Sequence, residues 1–117
     1  MDSLDRKERI DFGQVSPVLM ARYSVYRLKS GAVVVDCQAD VLSGLPTRFS
    51  APLLAPSEIP NPIARLHPTL TIGTELRVMV TNEAGAILVT EIAEVIASLT
   101  DDDMRIANAF DMLLTGF

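Results

Sequence analysis

The chain has one cysteine, Cys37, one histidine, His67, and no tryptophan. A single thiol cannot close an intramolecular disulfide, which points to a reducing compartment, the cytoplasm. Cys37 also lies within an apolar strand pattern, where a thiol is expected to be buried and inert rather than nucleophilic. One His and one Cys cannot build the usual four-ligand zinc site unless several carboxylates join them. No Cys–His or Ser–His–Asp spacing is present, and no glycine-rich phosphate loop follows a strand, so no cofactor is expected. Basic residues are scarce as well: 10 Lys and Arg against 15 Asp and Glu leave a net charge of -5. A surface of that sign repels phosphate and argues against direct nucleic-acid binding, which leaves another protein as the expected partner. No apolar run approaches the roughly 20 residues that span a bilayer. The opening Met1–Asp5 lacks the positive region of a signal peptide.

With 117 residues, 49% of them hydrophobic, the chain is expected to fold as one packed domain. Residues 1–20 read as an N-terminal extension and 21–117 as that domain. The extension carries the mixed-charge run Asp5-Arg6-Lys7-Glu8-Arg9, and at its junction stands Met20, a second place where translation could begin. From Arg22 the pattern turns to strands. Arg22–Leu28 and Ala32–Gln38, rich in Val and Tyr, flank Lys29-Ser30-Gly31 and predict a hairpin. Thr47–Leu53 alternates, with Phe49, Ala51 and Leu53 on one face and Arg48 and Ser50 on the other, which predicts a half-buried strand.

Pro52, Pro56, Pro60, Pro62 and Pro68 crowd the middle, so no long regular element crosses Ala55–Asn61. One weak helical turn is expected at Ser57-Glu58-Ile59. Thr69–Ile72 and Leu76–Thr81, around Gly73, predict a second hairpin. Ala86–Thr90 reads as a strand entering a short helix at Ile92–Ala97. The last element is a helix with Thr100 as expected N-cap and Asp101, Asp102 and Asp103 in its first turn. Its apolar face is expected at Ile106, Ala107, Phe110, Leu113 and Leu114, and its terminator at Gly116.

Three groupings hint at chemistry. His67, before Pro68, reads as a structural or surface histidine. Asp101-Asp102-Asp103 reads as a helix start favoured by the dipole rather than a metal site. Asp36, Gln38 and Asp40 are expected to share one side of a strand. Paired carboxylates can do acid–base work, but here no base, nucleophile or metal partner accompanies them.

Four segments in order resemble the CcdB toxin family. They are Tyr23–Tyr26 with the Val34–Leu42 run, Ser50-Ala51-Pro52-Leu53, His67–Gly73, and the closing Ile106–Phe117 with its Thr-Gly ending. The similarity spans about Met20 to Phe117 in matching order and spacing. It implies a mainly β fold: an SH3-like five-stranded antiparallel barrel with a small extra sheet and a C-terminal α-helix. It further implies a non-enzymatic toxin that acts as a homodimer, binds the GyrA chain of DNA gyrase, and is neutralised by a CcdA-like antitoxin folding on binding. Carried over by position, the gyrase-binding group falls on Ala39, Val41 and Leu42, and on Asp111, Thr115, Gly116 and Phe117. The best-known form has Ser, Asn, Trp and Ile where this chain has Ala39, Asp111, Thr115 and Phe117, so a large aromatic anchor is replaced. Two further readings share the fold. One is a ribonuclease toxin of the MazF/Kid type, which needs a basic groove and an acid–base pair. The other is a non-toxic dimeric module that keeps only antitoxin-binding or DNA-autoregulatory roles.

Overall fold

The computed structural model describes residues 21–117. Their order is β1 (Ser24–Leu28), β2 (Val33–Asp36), β3 (Thr47–Leu54), β4 (Thr69–Ile72), β5 (Glu75–Met79), β6 (Gly85–Leu88), β7 (Ile92–Ser98) and α1 (Asp103–Thr115), linked by short 3-10 turns. Every strand pair is antiparallel. Five strands, in the order β6-β3-β2-β1-β7, curl into a half-barrel, and β4 and β5 extend β3 as a small second sheet. This is the mainly β fold with one C-terminal helix that the resemblance implied.

β3 is the hub, and its proline shows how. One edge pairs with β2 through Ser50–Pro52, while the other pairs with β6 up to Ser50 and with β5 from Leu53. The Pro52 carbonyl accepts from the Val80 N–H at 2.9 Å, so the missing Pro52 N–H faces that second edge. It falls where one neighbouring strand hands over to the next, and no ladder bond is lost.

The two faces of the curled sheet carry separate cores. Val25, Val35, Ala51 and Leu53 pack with Leu70, Met79, Leu99, Ile106 and Ala109 beneath the helix. Tyr26, Val34, Val89 and Ile92 make the second cluster, on the other face. Strand β3 is therefore covered on both sides. The sequence expectation of a half-buried strand is corrected: Arg48 and Ser50 are buried, and Phe49 is the residue left partly open. The alternation is real, but the face that looked polar is buried, with Arg48 held against the buried Asp36.

Other boundaries also differ. Ile92–Ala97, expected as a helix, is β7, held by five paired positions along β1. Its branched Ile92, Val95 and Ile96 suit a pleated surface, and pairing outweighs the local helical spacing. The Lys29-Ser30-Gly31 hairpin, the turn at Pro56–Glu58 and the Gly73 hairpin are present. Thr100 does not cap α1. It sits in a preceding 3-10 turn with its hydroxyl 2.8 Å from that of Ser98, and Asp102 takes the N-cap position with no side-chain cap bond. The inward stripe of α1 is Ile106, Ala109 and half-buried Phe110, whereas Leu113 and Leu114, expected on the apolar face, are exposed. Gly116 stops the helix in the left-handed region at φ 80°, and its N–H reaches the Met112 carbonyl at 2.9 Å, a conformation that Gly adopts without a Cβ penalty.

Candidate functional site

The described fold opens on a strained residue. Tyr23 has φ 72°, in the left-handed region, where a non-Gly residue costs on the order of 1–2 kcal/mol. Two ladder-like bonds hold it: its N–H donates to the Asp36 carbonyl at 2.5 Å, and its own carbonyl accepts from Leu99 at 2.8 Å. This kink turns Arg22 and Tyr23 toward α1, with the Arg22 guanidinium 4.8 Å from the Tyr23 ring centre.

Between that kink, Cys37 just after β2, Phe49 of β3 and one side of α1 lies a crevice of about 270 Å³. Cys37 and Ile106 lie against its inner end, and Phe49, Phe110 and Leu114 form apolar walls. The two phenylalanine rings meet at 5.6 Å with a 51° tilt, an arrangement that aromatic quadrupoles favour. Its charged groups are Arg22 and Asp111. Burial pushes the Cys37 thiol up to about 12, and the neighbouring Asp36 carboxylate adds to the effect. At neutral pH the group is a protonated thiol, as its apolar strand context implied.

The residues carried over from the resemblance fall in two places, and of them only Asp111 lines this crevice. Ala39, Val41 and Leu42 form the turn after β2, with Val41 and Leu42 in the 3-10 segment Asp40–Leu42. That turn is anchored on both sides: Arg22 N–H donates to Asp40 Oδ1 at 2.8 Å, and the Gln38 side chain donates to the Leu42 carbonyl and accepts from Phe49 N–H. Val41 is 88% exposed. Asp111 lines the crevice, and Thr115, Gly116 and Phe117 follow at the helix end. The Thr115 hydroxyl donates to the Asp111 carbonyl at 2.6 Å and lies 3.4 Å from the Phe117 N–H. Phe117 is 81% exposed and Leu114 77%. No hydrogen bond joins the turn group to the tail group among the described residues. Arg22 and Phe49, which the sequence placed on strands but not among the site residues, line the crevice with Asp111.

The carboxylates weighed for acid–base chemistry do not form a pair. Asp36 is fully buried at the end of β2, where it accepts the Arg48 Nε–H at 2.6 Å, the Tyr26 hydroxyl, and the Gln38 N–H at 2.9 Å. Asp40 is exposed in the turn, so the expectation that Asp36 and Asp40 share a strand side is corrected. The strand ends at Asp36, and the 3-10 turn breaks the strand alternation before Asp40. Tyr26, deprived of water and bonded to a carboxylate, is held far above its ordinary pKa. His67 is a connector in the middle loop: Nδ1 accepts from the Ile63 N–H at 2.9 Å, which leaves Nε2–H to donate to Asn82 Oδ1 at 2.7 Å. Among the described residues no group of three or more His, Cys, Asp or Glu is placed to hold a metal ion. No described helix is long and apolar enough to cross a membrane.

A curled antiparallel sheet carrying one C-terminal helix, with an apolar crevice beside that helix, defines a small mainly β domain. The sequence pattern of the CcdB protein family matches residues 22–116. The chain belongs to the CcdB family, the family of type II toxin–antitoxin toxins, and its partner class is accordingly an antitoxin. No curated protein matches the chain.

Proposed function

We propose that the protein is a cytoplasmic, non-enzymatic toxin that binds the GyrA chain of DNA gyrase through the Val41–Leu42 turn and the end of α1. In this reading it acts as a homodimer and is neutralised by a CcdA-like antitoxin. The observation that carries the reading is the pair of water-facing apolar groups at the helix end, Leu114 at 77% and Phe117 at 81% exposure. Gly116 ends the helix between them and frees Phe117 from its axis. Exposed apolar groups clustered on a small domain are the usual mark of an interaction surface. Phe117 takes over the aromatic anchor role for which aromatic residues are favoured at interfaces. Asp111 and Thr115 stand beside it, and Ala39, Val41 and Leu42 supply the second half of the surface.

Binding rather than catalysis accounts for the carboxylates. Asp36 is spent on Arg48 and Tyr26 inside the fold, and the net charge of -5 opposes an RNA backbone. The test is a pair of assays on the purified protein. Inhibition of gyrase supercoiling with accumulation of cleaved DNA, without cleavage of RNA, is the expected result. RNA cleavage with supercoiling untouched would replace this reading with the ribonuclease one, and inactivity in both would leave a non-toxic antitoxin-binding module. Light scattering at micromolar concentration should give the mass of a dimer.

A further inference from the structure

We propose that the open edge of β6 is where two copies of this chain join, strand to strand about a twofold axis, so that their two crevices share one face. The inference rests on the homodimer of the proposed function and names the edge that forms it.

The ladder shows which backbone groups are open. β6 pairs with β3 and with no other described strand. The Val89 N–H donates to the Pro46 carbonyl at 2.9 Å, and the register continues as Thr47–Leu88, Arg48–Ile87, Phe49–Ala86 and Ser50–Gly85. Antiparallel ladders alternate bonded and non-bonded pairs. Ile87 and Gly85 therefore bond to β3, whereas Ala86 turns its N–H and C=O, and Leu88 its N–H, to the open side. Phe49 agrees with this alternation. Its backbone groups are engaged on the β2 side, by the Gln38 side chain and the Cys37 N–H. Ala86 and Leu88 are both exposed.

Three described strands, β4, β6 and β7, have a single partner strand, and β6 alone is unguarded. β4 begins directly after Pro68, and its Thr69 carbonyl is taken by Arg105 Nη2 at 2.5 Å. β7 carries two register shifts against β1 and the exposed Glu94, paired with Arg27 at 3.4 Å. Bulges, prolines, charges and covering side chains are the devices that keep sheet edges from pairing. The run Ala84–Thr90 has no charge and no proline, and β6 has no register shift.

Charge selects a second copy as the occupant. The chain carries -5, so two copies repel where charged surfaces meet, and this uncharged run is where they can approach. A strand paired antiparallel with its own copy is two-fold symmetric, as a closed dimer requires. Centred on Ala86, the pairing lets Ala86 exchange both bonds with its counterpart. The Leu88 N–H then donates to the Ala84 carbonyl of the second copy, and Leu88, 50% exposed, lies opposite that alanine. Phe49 and Ala86 are cross-strand partners and share a face. The axis passes through the sheet, so this face is common to both copies. Across the junction the row reads Phe49, Ala86, Ala86, Phe49, which sets the two Phe49 positions about 14 Å apart at the usual strand spacing. Phe49 lines the crevice with Phe110 and Asp111, so each copy supplies half of one continuous surface.

The experiment uses the full chain and its Ala86→Glu and Ala86→Lys variants, which change an exposed side chain and keep every bond to β3. Thr71→Glu, on the guarded β4 edge, is the control. Sedimentation at micromolar concentration gives the dimer dissociation constant, and melts monitor folding. The starting protein and Thr71→Glu should be dimers. Each Ala86 variant should dimerise more than tenfold more weakly, because like charges then face each other across the axis. An equimolar mixture of the two should regain the dimer, since Glu then faces Lys. A monomeric starting protein, Ala86 variants that stay dimeric, or a mixture that fails to re-form the dimer would each overturn the inference. Titration with the gyrase A dimerisation fragment separates this from the proposed target. Dimers that part and re-form as expected, with no gyrase binding by the starting protein, would support the edge and defeat the target.

Discussion

The buried ion pair between Asp36 and Arg48 allows the fold to be tested by a small mutant cycle. Both side chains are fully buried, and the guanidinium contacts the carboxylate only through Nε at 2.6 Å, leaving Nη1 and Nη2 without hydrogen-bond partners. The carboxylate, by contrast, is saturated, with Tyr26, Gln38 and Arg48 all donating to it. Replacing Asp36 with Asn strands a buried cation that already has two unpaired donors, so the loss should lie at about 3–5 kcal/mol, the usual cost of breaking a buried pair from one side. Arg48→Met should cost less, because the remaining carboxylate keeps two donors, the Tyr26 hydroxyl and the Gln38 N–H. The double variant Asp36→Asn/Arg48→Met should recover much of the single-variant loss, since replacing both charges of a buried pair is often near neutral. The residual loss should be about 1–3 kcal/mol for the weaker acceptor left to Tyr26 and Gln38. Urea unfolding followed by circular dichroism measures all three. Single variants costing under about 1 kcal/mol each, the range of exposed pairs, with simple additivity in the double, would show that the pair is solvated and its surroundings open to water.

Two further outcomes are expected from the same geometry. Tyr26 and Cys37 both have folded pKa values raised above their ordinary 10.0 and 9.0, Cys37 to about 12. The unfolded chain therefore releases these protons first, and stability should be constant below about pH 9 and fall above it. Each group should remove about 1.4 kcal/mol per pH unit once its unfolded form is ionised. Cys37→Ala should postpone the decline toward about pH 10, as read from urea midpoints across roughly pH 7–11, and an unshifted decline would contradict the assignment. Removing residues 1–19, which precede both the strand pattern and the family match at residue 22, should change the melting temperature by no more than a few degrees. A large drop would mean that the extension belongs to the core.

Much of the architecture was legible because it is written locally. The hairpin at Lys29-Ser30-Gly31 and the stop at Gly116 need left-handed backbone, and glycine marks both. The terminal helix announced itself by spacing, and the order of four segments carried the family. The illegible parts depend on partners distant in sequence. Ile92–Ser98 has spacing that suits a helix as well as a strand, and only the ladder to β1 decides it. Arg48 looked solvent-facing because its alternation with Phe49 is regular, and nothing nearby reveals that Asp36 waits on β2. The helix face was placed about one residue too far round, since the sequence does not say from which side the sheet approaches. Of the candidate site, the turn and the tail were named by position, whereas Arg22, Phe49 and Phe110, which build the crevice, come together only when β3 and α1 pack.

The most direct test of the central claim is a calorimetric titration of the gyrase A dimerisation fragment with the full chain and with a chain ended after Leu114, beside thermal melts of both. Thr115, Gly116 and Phe117 are all exposed, so their removal should leave the melt nearly unchanged. The same removal should weaken binding by more than tenfold, about 1.4 kcal/mol, because the aromatic anchor is gone. Equal binding by two equally stable proteins would show that the helix end is not the surface that meets gyrase, and no binding by either would show that gyrase is not the target.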